Sequence, residues 1–188
     1  YQIMESGLLQ QLELAKQARG KGKDFALAPE VYIAKDFADK VEGLIEMAGI
    51  AETIRKLKKQ FDSEEEVAFN LAEEVIKQIL SETNNREYAA EMAIRAGLAY
   101  LTQGAVSAPI EGIAKARIKK NSDDSEYLAV YYAGPIRAAG GTAEALSIIV
   151  ADYVRKRLKL GRYQPTPNEI GRCAEEILWY KRNVHLQY

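Results

Sequence analysis

The 188 residues are 47% apolar, 28% charged and 9% aromatic, which excludes a low-complexity tail and points to a folded chain with its own core. Five prolines and 13 glycines are too few for a disordered linker, and no run reaches the ~18 apolar residues of a membrane-spanning helix. A single cysteine, Cys173, and a single histidine, His185, exclude an internal disulfide and a Cys/His zinc cluster and favour a reducing cytoplasm. The net charge of -1 conceals an asymmetry: residues 1–110 hold 13 Lys/Arg against 18 Asp/Glu, and residues 111–188 hold 13 against 9. The basic character sits in the second half. A chain that opens on Tyr1 with no signal peptide reads as a piece excised from something longer.

The first half reads as helix after helix, because apolar residues recur at three- and four-residue spacing. Leu8, Leu9, Leu12 and Ala15 form a stripe that ends at the Gly20, Lys21, Gly22 break. Asp36 is placed to cap a helix through Phe37, Val41, Leu44, Ile45 and Ala48, and a short basic helix follows from Ala51 to Lys59 with Ile54 and Leu57 inward. Ser63 and Glu66 form a capping box that opens a longer helix along Val67, Leu71, Val75, Ile76 and Ile79. Asn84 and Asn85 punctuate it. The next helix, from about Arg86 to Thr102, carries alanines and Gly97 that predict close helix packing.

Near residue 111 the period changes to two. Ile113, Lys115, Arg117 and Lys119 line one face of an alternating segment, with Ala114, Ala116 and Ile118 on the other. A polar turn, Asn121 to Ser125, leads to the strand formers Tyr127 to Tyr132, giving a β-hairpin. Beyond Gly140 and Gly141 a helix runs from Thr142 to about Leu158. Thr166, Pro167 and Glu169 then start a last helix through Ile170, Ala174, Ile177 and Leu178. Gly171 within it costs roughly 1 kcal/mol relative to Ala. The fold class expected is mainly α (α+β): one multi-helix domain with a β-hairpin and a third short strand from Asn183 to Tyr188. Its first part, 1–105, is helical, and 106–188 holds the hairpin, the glycine-rich turn and two helices.

Two segments invite a chemical reading. The strand, turn and helix from Tyr131 to Ala145 present Arg137, Gly140, Gly141 and Thr142 as a candidate phosphate-binding turn. The spacing matches neither the Walker nor the dinucleotide fingerprint, and the glycines serve a tight turn equally well. The second is cationic: Lys115, Arg117, Lys119 and Lys120 on the hairpin, and Arg155, Lys156, Arg157, Lys159 and Arg162 with Tyr153 and Tyr163 interleaved. Brought to one surface they would neutralise phosphates and give salt-dependent, sequence-independent nucleic-acid affinity. The alternative is a solvated face whose cations complement a helix dipole. The pairs Glu73/Glu74 and Glu175/Glu176 point in different directions along their helices and make no acid/base pair, while Asp123 and Asp124 suit a turn. Ser107, Cys173 and His185 have no nucleophile spacing. No catalytic residue and no metal ligand is assigned.

The runs QGAVSAPIEGIAKARIKKN, YLAVYYAGPIRAAGGTAEALSIIVADYVRKRL, LGRYQPTPNEI and YKRNVHLQY closely resemble the N-terminal region of the large subunit of archaeal D-family DNA polymerases. The resemblance covers nearly the whole chain and is most specific from Ala105 to Tyr163. It implies a two-subunit replicative polymerase in which the large subunit carries nucleotidyl transfer and the small subunit a 3' to 5' proofreading exonuclease. Magnesium and zinc are implied for the full-length enzyme, with their aspartate and cysteine ligands outside these 188 residues and no cofactor within them. The partners implied are DNA, the small exonuclease subunit, and the rest of the large subunit or a second copy of it, with no membrane role. The expectation is a non-catalytic domain for assembly and DNA holding; the alternative is a purely structural oligomerisation or interaction domain without DNA contact.

Overall fold

The computed structural model describes residues 5–23, 34–102, 111–138 and 140–183, which fall into two compact units, Tyr1–Lys35 and Asp36–Tyr188. In the first unit α1 spans Glu5–Ala18 and passes into a π-helical turn, Arg19–Lys23. Gly20 therefore widens the helix instead of ending it, as glycines without side chains tolerate an i to i+5 turn. The side chains of Leu8, Leu9 and Leu12 lie outside the described residues.

The second unit opens at Asp36, whose carboxylate accepts the Asp39 N-H at 2.8 Å and starts α2 (Phe37–Ile45). The same carboxylate accepts two bonds of 2.9 Å from Arg55 of α3 (Ile50–Leu57), which hold it below the usual aspartate range and tie the two helices together. Helix α4 (Glu64–Glu82) is capped by Ser63, whose hydroxyl accepts the Glu66 N-H at 3.4 Å and donates to Glu65, not Glu66, at 2.6 Å. Asn85 accepts the Tyr88 N-H at 3.0 Å to begin α5 (Arg86–Leu101).

Helix α5 is the centre of the unit. From Ala89 to Tyr100 it is buried at all but two positions, and it packs on α2, α4, the first strand and the helix α7 described below. Small residues make this possible: a Cβ on Gly97 would lie 2.8 Å from Val150 Cγ1 of α7, so only glycine admits that crossing. Leu71, Val75, Ile94, Leu98, Val150 and Val154, each fully buried, fill the space between these helices.

Strands β1 (Ile113–Lys120) and β2 (Glu126–Tyr132) pair antiparallel as the predicted hairpin. The pairing jumps from Ile113↔Tyr132 to Lys115↔Tyr131, so Ala114 is an extra residue in β1, a bulge. It corrects the expected alternation at one position: Ile113 turns inward and is fully buried, while Ala114 is exposed. A helical turn, α6 (Pro135–Ala138), follows, and then α7 (Gly141–Arg157) and α8 (Pro167–Asn183). The expected third strand is not formed at Asn183, the last residue of α8; residues 184–188 lie outside the described residues. The unit is mainly α with one small sheet, and among the described residues no helix is long and apolar enough to cross a membrane.

Candidate nucleic-acid interface

With the bulge at Ala114 in place, β1 sends Lys115, Arg117 and Lys119 outward and packs Ala116 and Ile118 on the core. Opposite those three cations in the register stand Tyr131, Ala129 and Tyr127. One face of the hairpin thus carries a row of cations beside two tyrosines. Lys119 Nζ lies 5.2 Å from the centroid of the Tyr131 ring, reaching across the small side of Ala129. Lys115, Arg117, Lys119 and Tyr131, with Glu87 and Ile118, line an open hollow of about 500 Å³.

Helix α5 bounds this face along the free edge of β1. Glu87 accepts the Ile118 N-H at 2.9 Å, Glu91 accepts the Ala116 N-H at 3.3 Å, and Arg95 donates to the Ile113 carbonyl at 2.9 Å. These three residues recur every four positions, so one stripe of α5 satisfies three backbone groups on the outer edge of β1. The Ile118 N-H, and after it the Arg117 guanidinium that also bonds Glu87, hold the Glu87 carboxyl below its ordinary range. Arg117 is therefore partly neutralised, whereas Lys115 and Lys119 are exposed.

On the other side, the loop after α7 is strapped to the hairpin turn. Asn121, only 8% exposed, donates to the Arg162 carbonyl and accepts the Gln164 N-H, each at 2.9 Å. Gln164 donates to Asp123 at 2.9 Å, and Asp123 also accepts the Ser125 N-H at 3.0 Å, the turn role expected of it. Tyr163 packs on Tyr127 with ring centroids 4.9 Å apart and adds a third aromatic beside the hairpin. Its hydroxyl donates to Glu169 of α8 at 2.6 Å, an interaction that pushes its pKa up to about 12.

The cations at the end of α7 have different surroundings. Arg155, with 15% of its side chain exposed, donates to Asp152 at 2.8 Å and to the Leu160 carbonyl at 2.6 Å. Lys156 pairs with the same Asp152 at 2.9 Å, and this pairing, with that of Arg155, holds the Asp152 carboxyl low. Arg157 pairs with Glu73 of α4 at 2.6 Å and lies over the Tyr153 ring. Lys159 takes the left-handed conformation that closes α7, with φ 57°, and the Leu160 N-H returns to the Arg155 carbonyl at 3.0 Å. Arg162 is exposed, and Lys120 approaches Asp124 at 3.7 Å.

The candidate phosphate turn is described only in part, since the Arg137 side chain lies outside the described residues. Gly140 (φ 86°), Gly141 and Thr142 are exposed at the start of α7, where the Gly140 carbonyl accepts the Ala143 N-H at 3.1 Å. Glu73 is engaged by Lys77, Tyr153 and Arg157, and Cys173 is exposed. Ser107 and His185 lie outside the described residues. Among the described residues no three His, Cys, Asp or Glu side chains gather to hold a metal ion. Sequence reading missed the pairing of Tyr127 and Tyr131 with the cations, whose signal was their four-residue spacing, which puts both on one face of a strand. It had no access to Glu87, 30 residues from Arg117.

Comparison with known proteins agrees with the resemblance. The family model described as "DNA polymerase II large subunit DP2, N-terminal" matches residues 1–188. The DNA polymerase II large subunit of Methanococcoides burtonii is 47% identical over 188 residues, covering 100% of this chain and 16% of that protein. Those of Methanothermobacter thermautotrophicus and Pyrococcus horikoshii are 49% and 50% identical over 179 residues, each covering 94% of this chain and 16% and 12% of the relatives. The chain thus spans about an eighth to a sixth of the length of these relatives. The agreement extends beyond the hairpin to every helix of the fold, and the chain belongs to the DNA polymerase II large-subunit family, of which it represents the N-terminal region.

Proposed function

We propose that this region is a non-catalytic module of an archaeal replicative DNA polymerase that helps assemble the enzyme and holds DNA without reading its sequence. The observation that carries the DNA half of this reading is the outer face of the hairpin. Lys115, Arg117 and Lys119 stand there at every second position beside Tyr127 and Tyr131. Strand geometry spaces such cations by roughly 6.6 Å, cations supply counterion release, and tyrosine rings offer surfaces to sugars or unpaired bases. Arg155, Lys156 and Arg157 are, in this reading, supports for the end of α7, with Lys120, Lys159 and Arg162 as peripheral cations and Arg137, Gly140, Gly141 and Thr142 as a secondary phosphate contact. Nucleotidyl transfer with its magnesium, and the zinc, belong to the large subunit outside this region, and proofreading to the small exonuclease subunit.

The second reading, a structural interaction domain without DNA contact, draws on the carboxylates beside the cations: Glu87 on Arg117, Asp152 on Arg155 and Lys156, Glu73 on Arg157. Binding to labelled single-stranded, double-stranded and primer-template DNA over a rising salt series separates the two. The DNA reading expects affinity that falls with salt. Lys115→Ala with Lys119→Ala should flatten the log-log slope by about 1.4 on single strands, at ~0.7 per phosphate contact. No binding at low salt leaves the structural reading.

A further inference from the structure

Helix α8 is 17 residues long and has no buried residue. Ile170, Ile177 and Leu178 are each more than half exposed. With Cys173, Ala174 and the Lys181 stem they recur at three- and four-residue spacing and so form one apolar stripe with Tyr180 at its margin, while Arg172, Glu175, Glu176 and Arg182 occupy the opposite side together with the exposed Trp179, whose ring meets Tyr180 edge-on. A solitary helix of this length gains little from propensity, and an exposed apolar stripe is the mark of a helix that packs on something.

Its root is held in place. The capping box is closed in both directions: the Thr166 hydroxyl accepts the Glu169 N-H at 3.3 Å, and the Glu169 carboxylate accepts the Thr166 N-H at 2.7 Å. Tyr163 bonds Glu169 while packing on Tyr127, and Asn121 and Asp123 hold Arg162 and Gln164. The hairpin turn thereby presents the first turn of α8 in a defined direction. A helix fixed at its root loses less freedom on docking.

We infer that the apolar stripe of α8 docks on the part of the same large-subunit polypeptide that lies outside this region. Two observations select that occupant. More than four fifths of each relative lies beyond the matched N-terminal region, so a tethered partner is at hand at high effective concentration. The stripe is also small. From Ile170 to Lys181 it is about 17 Å long on a helix about 10 Å across, which offers a few hundred Å², well short of the ~800 Å² per partner that a standard interface between free proteins buries. A second copy or a separate subunit would need more surface than this stripe provides. The inference rests on the assembly half of the function proposed above and leaves the DNA face aside.

Hydrogen exchange of the full-length large subunit, alone, tests it, with Ile177→Asp/Leu178→Asp as the comparison. Amides of α8 should exchange at least about tenfold more slowly in the wild type than in the variant, with alkylation of Cys173 slowed in parallel. The amides of α4 and α5 should exchange alike in both, which establishes that the variant is folded. Equal exchange in α8 and a freely reactive Cys173 overturn the inference. So does protection that appears only when the small subunit is added, or only as protein concentration is raised. Hydroxyl-radical oxidation of Ile148 and Ile149, both more than half exposed on α7, separates two failures. Cover there with α8 bare overturns the docking of α8 alone; both bare overturns the assembly role with it.

Discussion

The second half of the chain carries two groups of cations that look alike in composition, and the fold treats them in opposite ways. On the hairpin, alternation drives every second side chain to one face, and two of the three cations there are exposed, with tyrosines as their cross-strand neighbours. At the end of α7 helical spacing does the reverse. Asp152 stands three and four residues before Arg155 and Lys156, and the turn of α4 packed alongside supplies Glu73 to Arg157. The difference teaches that a basic run stays available to a ligand only where few of its charges are met by carboxylates. The density of positive charge in the sequence does not distinguish the two.

The sharpest way to break this comparison is Arg155→Ala. The guanidinium is largely buried and serves Asp152 and the Leu160 carbonyl, so its loss should destabilise the protein by about 2 kcal/mol. A thermal or urea melt identical to wild type would place Arg155 among the merely solvated cations.

Glu87→Gln comes next, at about 1 kcal/mol, because Arg117 loses its countercharge while Ile118 keeps an acceptor. The Glu87 carboxyl is held below its ordinary value of 4.5. Its contribution is therefore complete above that value and is lost as pH falls through the depressed folded-state value. The stability gap between wild type and variant should close on acidification below about pH 4.5; a gap constant from pH 7 to 3 would contradict the ion pair.

Lys159→Gly should stabilise by about 0.5–1 kcal/mol, since the residue sits at φ 57°, where glycine has no Cβ to strain. A loss of stability would show that the lysine side chain does more than close α7. The smallest effect on folding belongs to Lys115→Ala/Lys119→Ala, within about 0.5 kcal/mol of wild type. A large destabilisation by that pair would erase the contrast between the two groups.

Local chemistry made much of the fold legible. Asp36, Ser63, Asn85 and Thr166 each declare a helix start through a side chain that needs only residues two or three positions away. The hairpin turn likewise declares itself. The bulge does not: whether Ile113 or Ala114 turns inward is decided by the core that β1 meets, and Ile113 wins because it has more apolar surface to bury. The candidate site was legible as a set of cations and illegible as a surface, because Tyr153 and Arg157 find Glu73 across some 80 residues of chain. The periodicity of α8 marked an apolar stripe without saying whether anything within the chain covers it.

The row of α5 side chains along β1 has a consequence for the molecule in a crowded cell. A hairpin offers its outer backbone groups to any extended chain that meets it, and growth of sheet from one molecule to the next begins at such edges. Glu87, Glu91 and Arg95 occupy three of those groups, on β1, from within, and two of the three bring negative charge that an incoming strand would have to displace. The helix that organises the core thus also covers part of the hairpin's outer edge. Damage to that stripe would be read first in the solubility of the nascent protein.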